Sequence, residues 1–376
     1  MGSEGARAVT AAEPVRAVYD GPGITSLLPA LMGATDASWL PAPVRDANTT
    51  IVLVLDGLGW DAIERHPQLM PTLRSLDGGA VTSVVPSTTA AALTSITTGL
   101  APSEHGLVGF RMRAEGNVLN VLAWQHEGTS KRAPDPGLMQ RHAPFRGRPV
   151  PVVTRAEFRT TGFSEAHLRG AEFYGWRAVS TIVEHCRALA ARGEPLVYAY
   201  YPGVDEVAHT YGIENSYYTS ELAFADRLVG DLLDALPSHA AVLVTADHGQ
   251  VDLPEDAWIE LGPDVAPLVE ACAGDARFRY LYARRGAADD LLVAAREAHG
   301  PDAWVMSREQ LEDEGWLGPP PTSAIRRRLG DVVLAASRDI AFVDPALPRE
   351  ARLRSGHGSV TRAEMLVPVI AGRGRR

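Results

Sequence analysis

The feature that most constrains this chain is a set of short apolar runs, free of charge, each stopping at a polar or turn residue: Ile51–Leu55, Val81–Val85, Leu196–Tyr200, Ala241–Thr245 and Met365–Ile370. Runs of this length, rich in Val, Ile and Leu and without alternation, are what strands buried on both faces require. Helical patterns fall between them, at Met70–Leu76, Thr89–Thr98, Ala178–Arg192 and Tyr217–Leu236. Strands alternating with helices predict an α/β fold in which a mostly parallel sheet is sandwiched by helices. Sites in such sheets form just beyond the carboxyl ends of strands. Asp56, Pro86–Thr89, Asp205 and Asp247–His248 each follow an expected strand, so four polar sets can meet along one edge.

Two stretches break the rhythm. From Phe110 to about Gly170 the chain is rich in Arg, Pro and Gly with weak periodicity, and reads as a long surface excursion or lid. From 263 to 344 a second pattern appears, with strand-like Phe278–Ala283, Ala303–Ser307, Asp331–Ala336 and Ile340–Val343 and helix-like Ala288–His299 and Arg308–Glu314. This is expected to be a small α+β cap inserted into a core made of 1–262 and 345–376.

A net charge of −10 opposes binding to long nucleic acids, whose affinity rests on many Lys and Arg contacts to phosphates. A small anionic substrate remains compatible if metal ions hold it. No run of about 18 apolar residues offers a membrane span, and the first residues lack the apolar centre of a secretory signal. Cys186 and Cys272 stand in stretches that read as helical and form no CxxC pair, so reduced buried thiols and a cytoplasmic address are expected. Oligomeric state is not readable from the chain.

The polar residues at the strand ends carry the chemistry. Asp56 lies in Val-Leu-Asp-Gly-Leu-Gly, where taken alone it reads as a helix-cap or turn residue, and Gly57 and Gly59 lack the third glycine of a dinucleotide fingerprint. Residues 84–99 place Ser87, Thr88 and Thr89 at the start of a short helix closed by Gly99. A hydroxyl there sits where free backbone N–H groups favour negative charge, although an unassisted threonine is a poor nucleophile and needs a metal to activate it. Asp205 and His209 are four apart, so one turn of helix presents both on one face. Asp247, His248 and Gly249 form Asp-His-Gly after a buried strand, and His357 lies in a glycine-flanked loop before the last one. Carboxylate and imidazole in these numbers suit a zinc site with open positions.

In order and spacing these motifs resemble the alkaline phosphatase superfamily, and within it the nucleotide pyrophosphatase/phosphodiesterase branch. The resemblance spans an aspartate after the first strand, Pro-Ser-x-Thr at Pro86–Thr89, Asp-x-x-x-His at Asp205–His209, Asp-His-Gly at Asp247–Gly249 and Gly-His-Gly at Gly356–Gly358. It implies an alkaline phosphatase-like sheet and two divalent metals, usually zinc. Thr89 is then the nucleophile, three positions after Pro86 and ten before Gly99. Asp56, Asp247 and His248 hold one metal together with Thr89, and Asp205, His209 and His357 hold the other. In-line attack yields a phospho-threonine adduct that water hydrolyses, and the substrate is a nucleotide-like or other small phosphodiester.

One departure bears on the substrate. The asparagine with which phosphodiesterases of this branch hold a phosphate oxygen falls at Phe110, eleven residues after Gly99. Arg111 or Arg113 is the candidate replacement, since a guanidinium offers phosphate a planar fork of donors. A phosphonate or phosphomonoester hydrolase is the alternative reading, and a metal-dependent protein that binds a phosphorylated ligand without cleaving it is a third. Sulfatase chemistry lacks its Cys/Ser-x-Pro-x-Arg nucleophile segment.

Overall fold

The computed structural model describes residues 13–376. Its centre is a seven-stranded sheet whose spatial order is Asp77–Thr82, Leu366–Arg373, Ala240–Thr245, Thr49–Leu55, Leu196–Tyr201, Pro151–Arg155 and Glu172–Trp176. The five strands from Ala240–Thr245 to Glu172–Trp176 run parallel to their neighbours, whereas Leu366–Arg373 is antiparallel to both strands beside it. Every residue of Thr49–Leu55, Leu196–Tyr201 and Ala240–Thr245 is buried, as their charge-free composition demands. Helices Ser180–Ala191 and Ser216–Ala235 pack together and cover part of the sheet.

Three expectations are corrected. The excursion ends earlier than 170, because Pro151–Arg155 enters the sheet; within it, Arg111–Ala114, Asn117–Asn120 and Gln125–His126 form a small antiparallel sheet. The strand expected at Val81–Val85 is Asp77–Thr82. It has an edge position and an exposed first half, so it carries few of the apolar residues that signal a buried strand. Cys272 belongs to a strand, Val269–Gly274, and not to a helix. Cys186 lies in helix Ser180–Ala191, and both cysteines are buried and unpaired.

Residues 269–336 contain a four-stranded antiparallel sheet, ordered Val269–Gly274, Phe278–Ala283, Val332–Ala336, Ala303–Ser307. Its side chains alternate as a pleated sheet requires. Cys272, Leu281, Val332 and Leu334 join Leu291 and Ala295 of helix Ala288–His299 in a cluster of their own, while Ala273, Tyr280, Val333 and Ala335 join the main core. Buried ion pairs tie this sheet to the rest: Arg277 Nε and Nη2 donate to the two oxygens of Glu364 at 2.7 and 2.9 Å, and Arg279 Nη2 donates to Glu350 at 2.7 Å.

Among the described residues, no helix is long and apolar enough to cross a membrane.

Candidate active site

Three carboxylates arrive from three adjacent parallel strands. The register sets Val54 opposite Thr245 and Leu55 opposite Tyr201, so Asp56, Asp205 and Asp247 leave the sheet along one edge. Gly57 turns the chain there with φ +75°, and a Cβ at this position would stand 3.0 Å from Asp205 Cα. Only glycine combines that backbone conformation with that approach. Gly249 serves similarly after Asp247–His248, since a Cβ would fall 2.0 Å from the carbonyl oxygen of Ala363. The antiparallel strand Leu366–Arg373 begins at the same edge as its neighbours end, and its preceding loop brings in His357.

Asp56, Asp247 and His248 form the first cluster, with His248 Nε2 at 3.5 Å from Asp56 Oδ1 and 3.4 Å from Asp247 Oδ2. Both of those carboxylate oxygens are buried and find no hydrogen-bond partner among the described residues. Their companion oxygens are fixed: the Tyr200 hydroxyl donates to Asp56 Oδ2, and the backbone N–H groups of Gly57 and His248 donate to Asp247 Oδ1 at 3.2 and 3.1 Å. Burial first, and then the neighbouring carboxylates, push Asp56 well above the ordinary aspartate range; burial also raises Asp247, against the pull of His248. Leaving two buried carboxylate oxygens unpaired is costly unless a cation meets them.

The second cluster is Asp205, His209 and His357. Asp205 and His209 lie one turn apart on helix Gly203–Tyr211, with Oδ1 and Nε2 separated by 3.3 Å. His357 Nε2 stands 3.3 Å from His209 Nε2 and 3.8 Å from Asp205 Oδ1. Each histidine's Nδ1 is 3.0 Å from a backbone carbonyl, that of Ser355 for His209 and that of Ser87 for His357. Donation from Nδ1 leaves both Nε2 lone pairs facing one point, an arrangement that a shared cation satisfies. His357 is held well below the ordinary histidine range, by burial first and then by His248 and His209. Gln250 Nε2 donates to Asp205 Oδ1 at 2.8 Å, and the Ser355 hydroxyl donates to Gln250 Oε1. Gln250 is a supporting residue that no motif in the sequence marked.

Thr89 opens helix Thr89–Thr98, which ends on Gly99 at φ +72°. Its Oγ1 lies 3.1 Å from His248 Nε2. The neighbouring hydroxyls are engaged elsewhere: Thr88 Oγ1 donates to Asp275 Oδ1 at 3.0 Å and Ser87 Oγ to the Ser359 carbonyl at 2.6 Å. Among the described residues no side-chain hydrogen bond caps this helix, and the first N–H groups of a helix have no intrahelical partner. His105 plays no part in the clusters; it is buried against Ser95 Oγ, at 2.9 Å, and burial pushes its pKa down to about 3.

Two cavities flank Thr89. One, of about 160 Å³, is mostly apolar and lined by Leu93, Leu122, Phe158, Phe163, Tyr198 and Tyr200 among others. The Tyr198 hydroxyl there is buried without a partner among the described residues. The other, of about 420 Å³, joins Thr88 and Thr89 to Phe110, Asn120, Asp205, His209, Asp275, Arg349 and His357.

Asp275 is a second residue that sequence reasoning missed. It sits in the turn between strands Val269–Gly274 and Phe278–Ala283, accepts from Thr88 Oγ1 and from the Phe110 N–H at 3.4 Å, and packs on Gly358. Burial raises its pKa from 3.8 to about 6, against the Thr88 hydrogen bond. A carboxyl raised in the folded state contributes stability below its unfolded pKa and loses it as pH rises through the folded value. Asp275→Asn is therefore expected to gain on wild type by about 2 kcal/mol between roughly pH 4 and pH 7. Urea unfolding at the two pH values measures this, and a constant difference between the proteins would refute the assignment.

The arginines expected to contact the anion do not face it. Arg111 is fully buried: its Nε and Nη2 hold Glu127 and its Nη1 holds Asp344 at 2.6 Å. Arg113 stacks on the Tyr282 ring at 4.2 Å and lies 3.4 Å from Glu270. Neither lines the cavities beside Thr89. Both guanidinium groups are engaged by these partners, whereas Phe110 does line the larger cavity. Arg111→Ala strands Asp344 in the interior, so a loss of about 3–5 kcal/mol in unfolding free energy is expected, with KM of the folded enzyme unchanged. A raised KM at unchanged stability would restore the anion-contact role.

Residues 50–360 match the family model described as type I phosphodiesterase / nucleotide pyrophosphatase. The chain belongs to that family. Membership makes it a phosphoester hydrolase of the alkaline phosphatase superfamily, a group typically dependent on metal. Among solved structures it resembles murine ectonucleotide pyrophosphatase/phosphodiesterase 5, with 16% identity over 86% of this chain and 87% of that one and a TM-score of 0.66. An inactive threonine-to-alanine form of the murine protein, in complex with AMP, gives 16% identity over the same shares and a TM-score of 0.65. Phosphonoacetate hydrolase from Sinorhizobium meliloti 1021, in complex with phosphonoformate, gives 18% identity over 87% and 91% and a TM-score of 0.60. At these identities the likeness speaks to the fold. No curated protein matches this chain in sequence.

Proposed function

We propose that the chain is a two-metal phosphodiesterase in which Thr89 is the nucleophile. The observation that carries the reading is the Thr89 hydroxyl, on a helix N-terminus without a side-chain cap, 3.1 Å from His248 Nε2 beside buried carboxylate oxygens that lack partners among the described residues. Asp56, Asp247 and His248, with Thr89, would hold one divalent ion, and Asp205, His209 and His357 the other; a nitrogen- and oxygen-rich donor set of this kind suits zinc. When bound, such ions supply Lewis-acid stabilisation of the nucleophile, the phosphoryl oxygens and the leaving oxygen. Without them the edge is lined by three carboxylates and repels the substrate.

The residues then do the following. Thr89 Oγ1 gives its proton to solvent water and forms a bond to phosphorus as the bond to the leaving oxygen breaks on the opposite side, the departing alkoxide taking a proton from water. Water next attacks the phospho-threonine, releasing the monoester and returning Thr89. The helix N-terminus faces the charge that the phosphoryl oxygens carry. The apolar cavity walled by Leu93, Phe158 and Phe163 accepts an apolar or aromatic substituent of the ester. Residues 263–344 are read as a cap inserted into the core formed by 1–262 and 345–376, with Asp275 as its contact to the site.

A second reading, phosphonate or phosphomonoester hydrolysis, is favoured by one observation: Phe110 offers no side-chain donor to a phosphate oxygen. Rates of the zinc-loaded enzyme on bis-nitrophenyl phosphate, nitrophenyl phosphate and phosphonoacetate separate the two. A diester rate at least tenfold above the others supports the proposal, and a reversed order replaces it with the second reading.

A further inference from the structure

An anion above Thr89 needs hydrogen-bond donors on the side away from the metal ligands, and most polar side chains of the larger cavity have none to give. Thr88 Oγ1 donates to Asp275, the Ser355 hydroxyl to Gln250, and the Nδ1 atoms of His209 and His357 face backbone carbonyls. Asp205, Asp275 and Glu350 are acceptors. Two side chains remain with unspent donors, Asn120 and Arg349.

They differ in how they are held. Asn120 is half-buried at the end of strand Asn117–Asn120, paired in register with Arg111, and its Oδ1 accepts from the Ala123 N–H at 3.0 Å. Fixing Oδ1 on the backbone also fixes the opposite Nδ2, which has no partner among the described residues. Arg349 is exposed in the loop before Glu350–Arg352 and makes no hydrogen bond or ion pair among the described residues. Oriented donors in a fixed frame stabilise developing charge, whereas a mobile exposed cation chiefly assists capture.

We infer that Asn120 is a catalytic residue of this site: its Nδ2 donates to a non-bridging oxygen of the reacting phosphorus, replacing the amide that Phe110 does not supply. The inference rests on the proposed phosphoester chemistry at Thr89. Arg349, at the cavity mouth, captures the substrate and leaves the bound ester's rate unchanged.

The test uses the full-length, zinc-loaded enzyme with Asn120→Ala, Asn120→Asp and Arg349→Ala. Asn120→Asp is the informative variant, because it keeps the oxygen that accepts from Ala123 while removing the donor. A structural role predicts that Asp behaves like wild type. Donation predicts a kcat on bis-nitrophenyl phosphate lower by on the order of 10²-fold in Ala and by more in Asp, where a carboxylate faces the anion. Arg349→Ala should raise KM severalfold and leave kcat alone. Calorimetric binding of inorganic phosphate, which needs no turnover, should weaken in both Asn120 variants.

Wild-type kcat in Asn120→Asp, or loss of kcat in Arg349→Ala instead, overturns the inference while leaving the proposed reaction standing. Conversely, a wild type that cleaves no ester but binds phosphate through Asn120 removes the reaction and keeps the donor. Failure of the wild type to bind phosphate at all overturns both.

Discussion

Alanine at position 89 yields a folded, metal-binding protein whose phosphodiesterase rate falls by roughly 10³-fold or more, the scale seen when a nucleophile is removed and only binding and electrostatics remain. No neighbour can substitute. The Ser87 hydroxyl is tied to the Ser359 carbonyl and that of Thr88 to Asp275, so neither is free to attack. Stability should change little, because the Thr89 side chain caps nothing and alanine is favoured within helices. Thr89→Ser keeps the hydroxyl and should retain activity within about tenfold, since a hydroxyl of similar acidity stands at the same atom. Mass spectrometry after a rapid acid quench should find phosphate on the peptide containing residue 89 in the wild type and in Thr89→Ser, and none in the alanine variant. Undiminished turnover in the alanine variant would end the nucleophile assignment, and with it the covalent route.

The parts of this design that were readable from sequence share a physical cause. Thr49–Leu55, Leu196–Tyr201 and Ala240–Thr245 are buried on both faces, so their composition betrays them, and the residues that follow lie at the strand ends by covalent continuity. Helix Thr89–Thr98 declares its end through Gly99. Asp205 and His209 share a face because the segment is helical, a local property. What stayed hidden depends on contacts between distant segments. Pro151–Arg155 and Glu172–Trp176 lie at the far side of the sheet in Pro-, Arg- and Gly-rich surroundings that resemble loop. Val269–Gly274 offers only one β-branched residue. Asp275 reaches the site through its hydrogen bond from Thr88, far away in the chain, and Asn120 lines the cavity beside Thr89 from the end of a short strand within the excursion. Arg111 is out of reach for a like reason, since spacing alone does not reveal that Asp344 and Glu127 claim its guanidinium.

Removing the metals should abolish activity and also reveal an electrostatic conflict built into the fold. Asp56 and Asp247 are buried, with one oxygen of each unpaired among the described residues, and their charges add to that of Asp205. A divalent cation relieves that repulsion only in the folded state, so zinc at about 1,000 times its Kd should add roughly 4 kcal/mol per site to the unfolding free energy. Asp247→Asn separates the two effects. Its amide oxygen can still accept from the N–H groups of Gly57 and His248, so the local backbone is preserved while one buried charge is lost. The metal-free variant is therefore expected to be more stable than metal-free wild type, and the order should invert once zinc is added. Calorimetric melting of both proteins, with chelator and with zinc, measures the crossing. A variant less stable than wild type under both conditions would mean that the Asp247 charge stabilises the fold without metal, through charge-assisted hydrogen bonds from Gly57 and His248, and the first metal site would lose its strongest physical support.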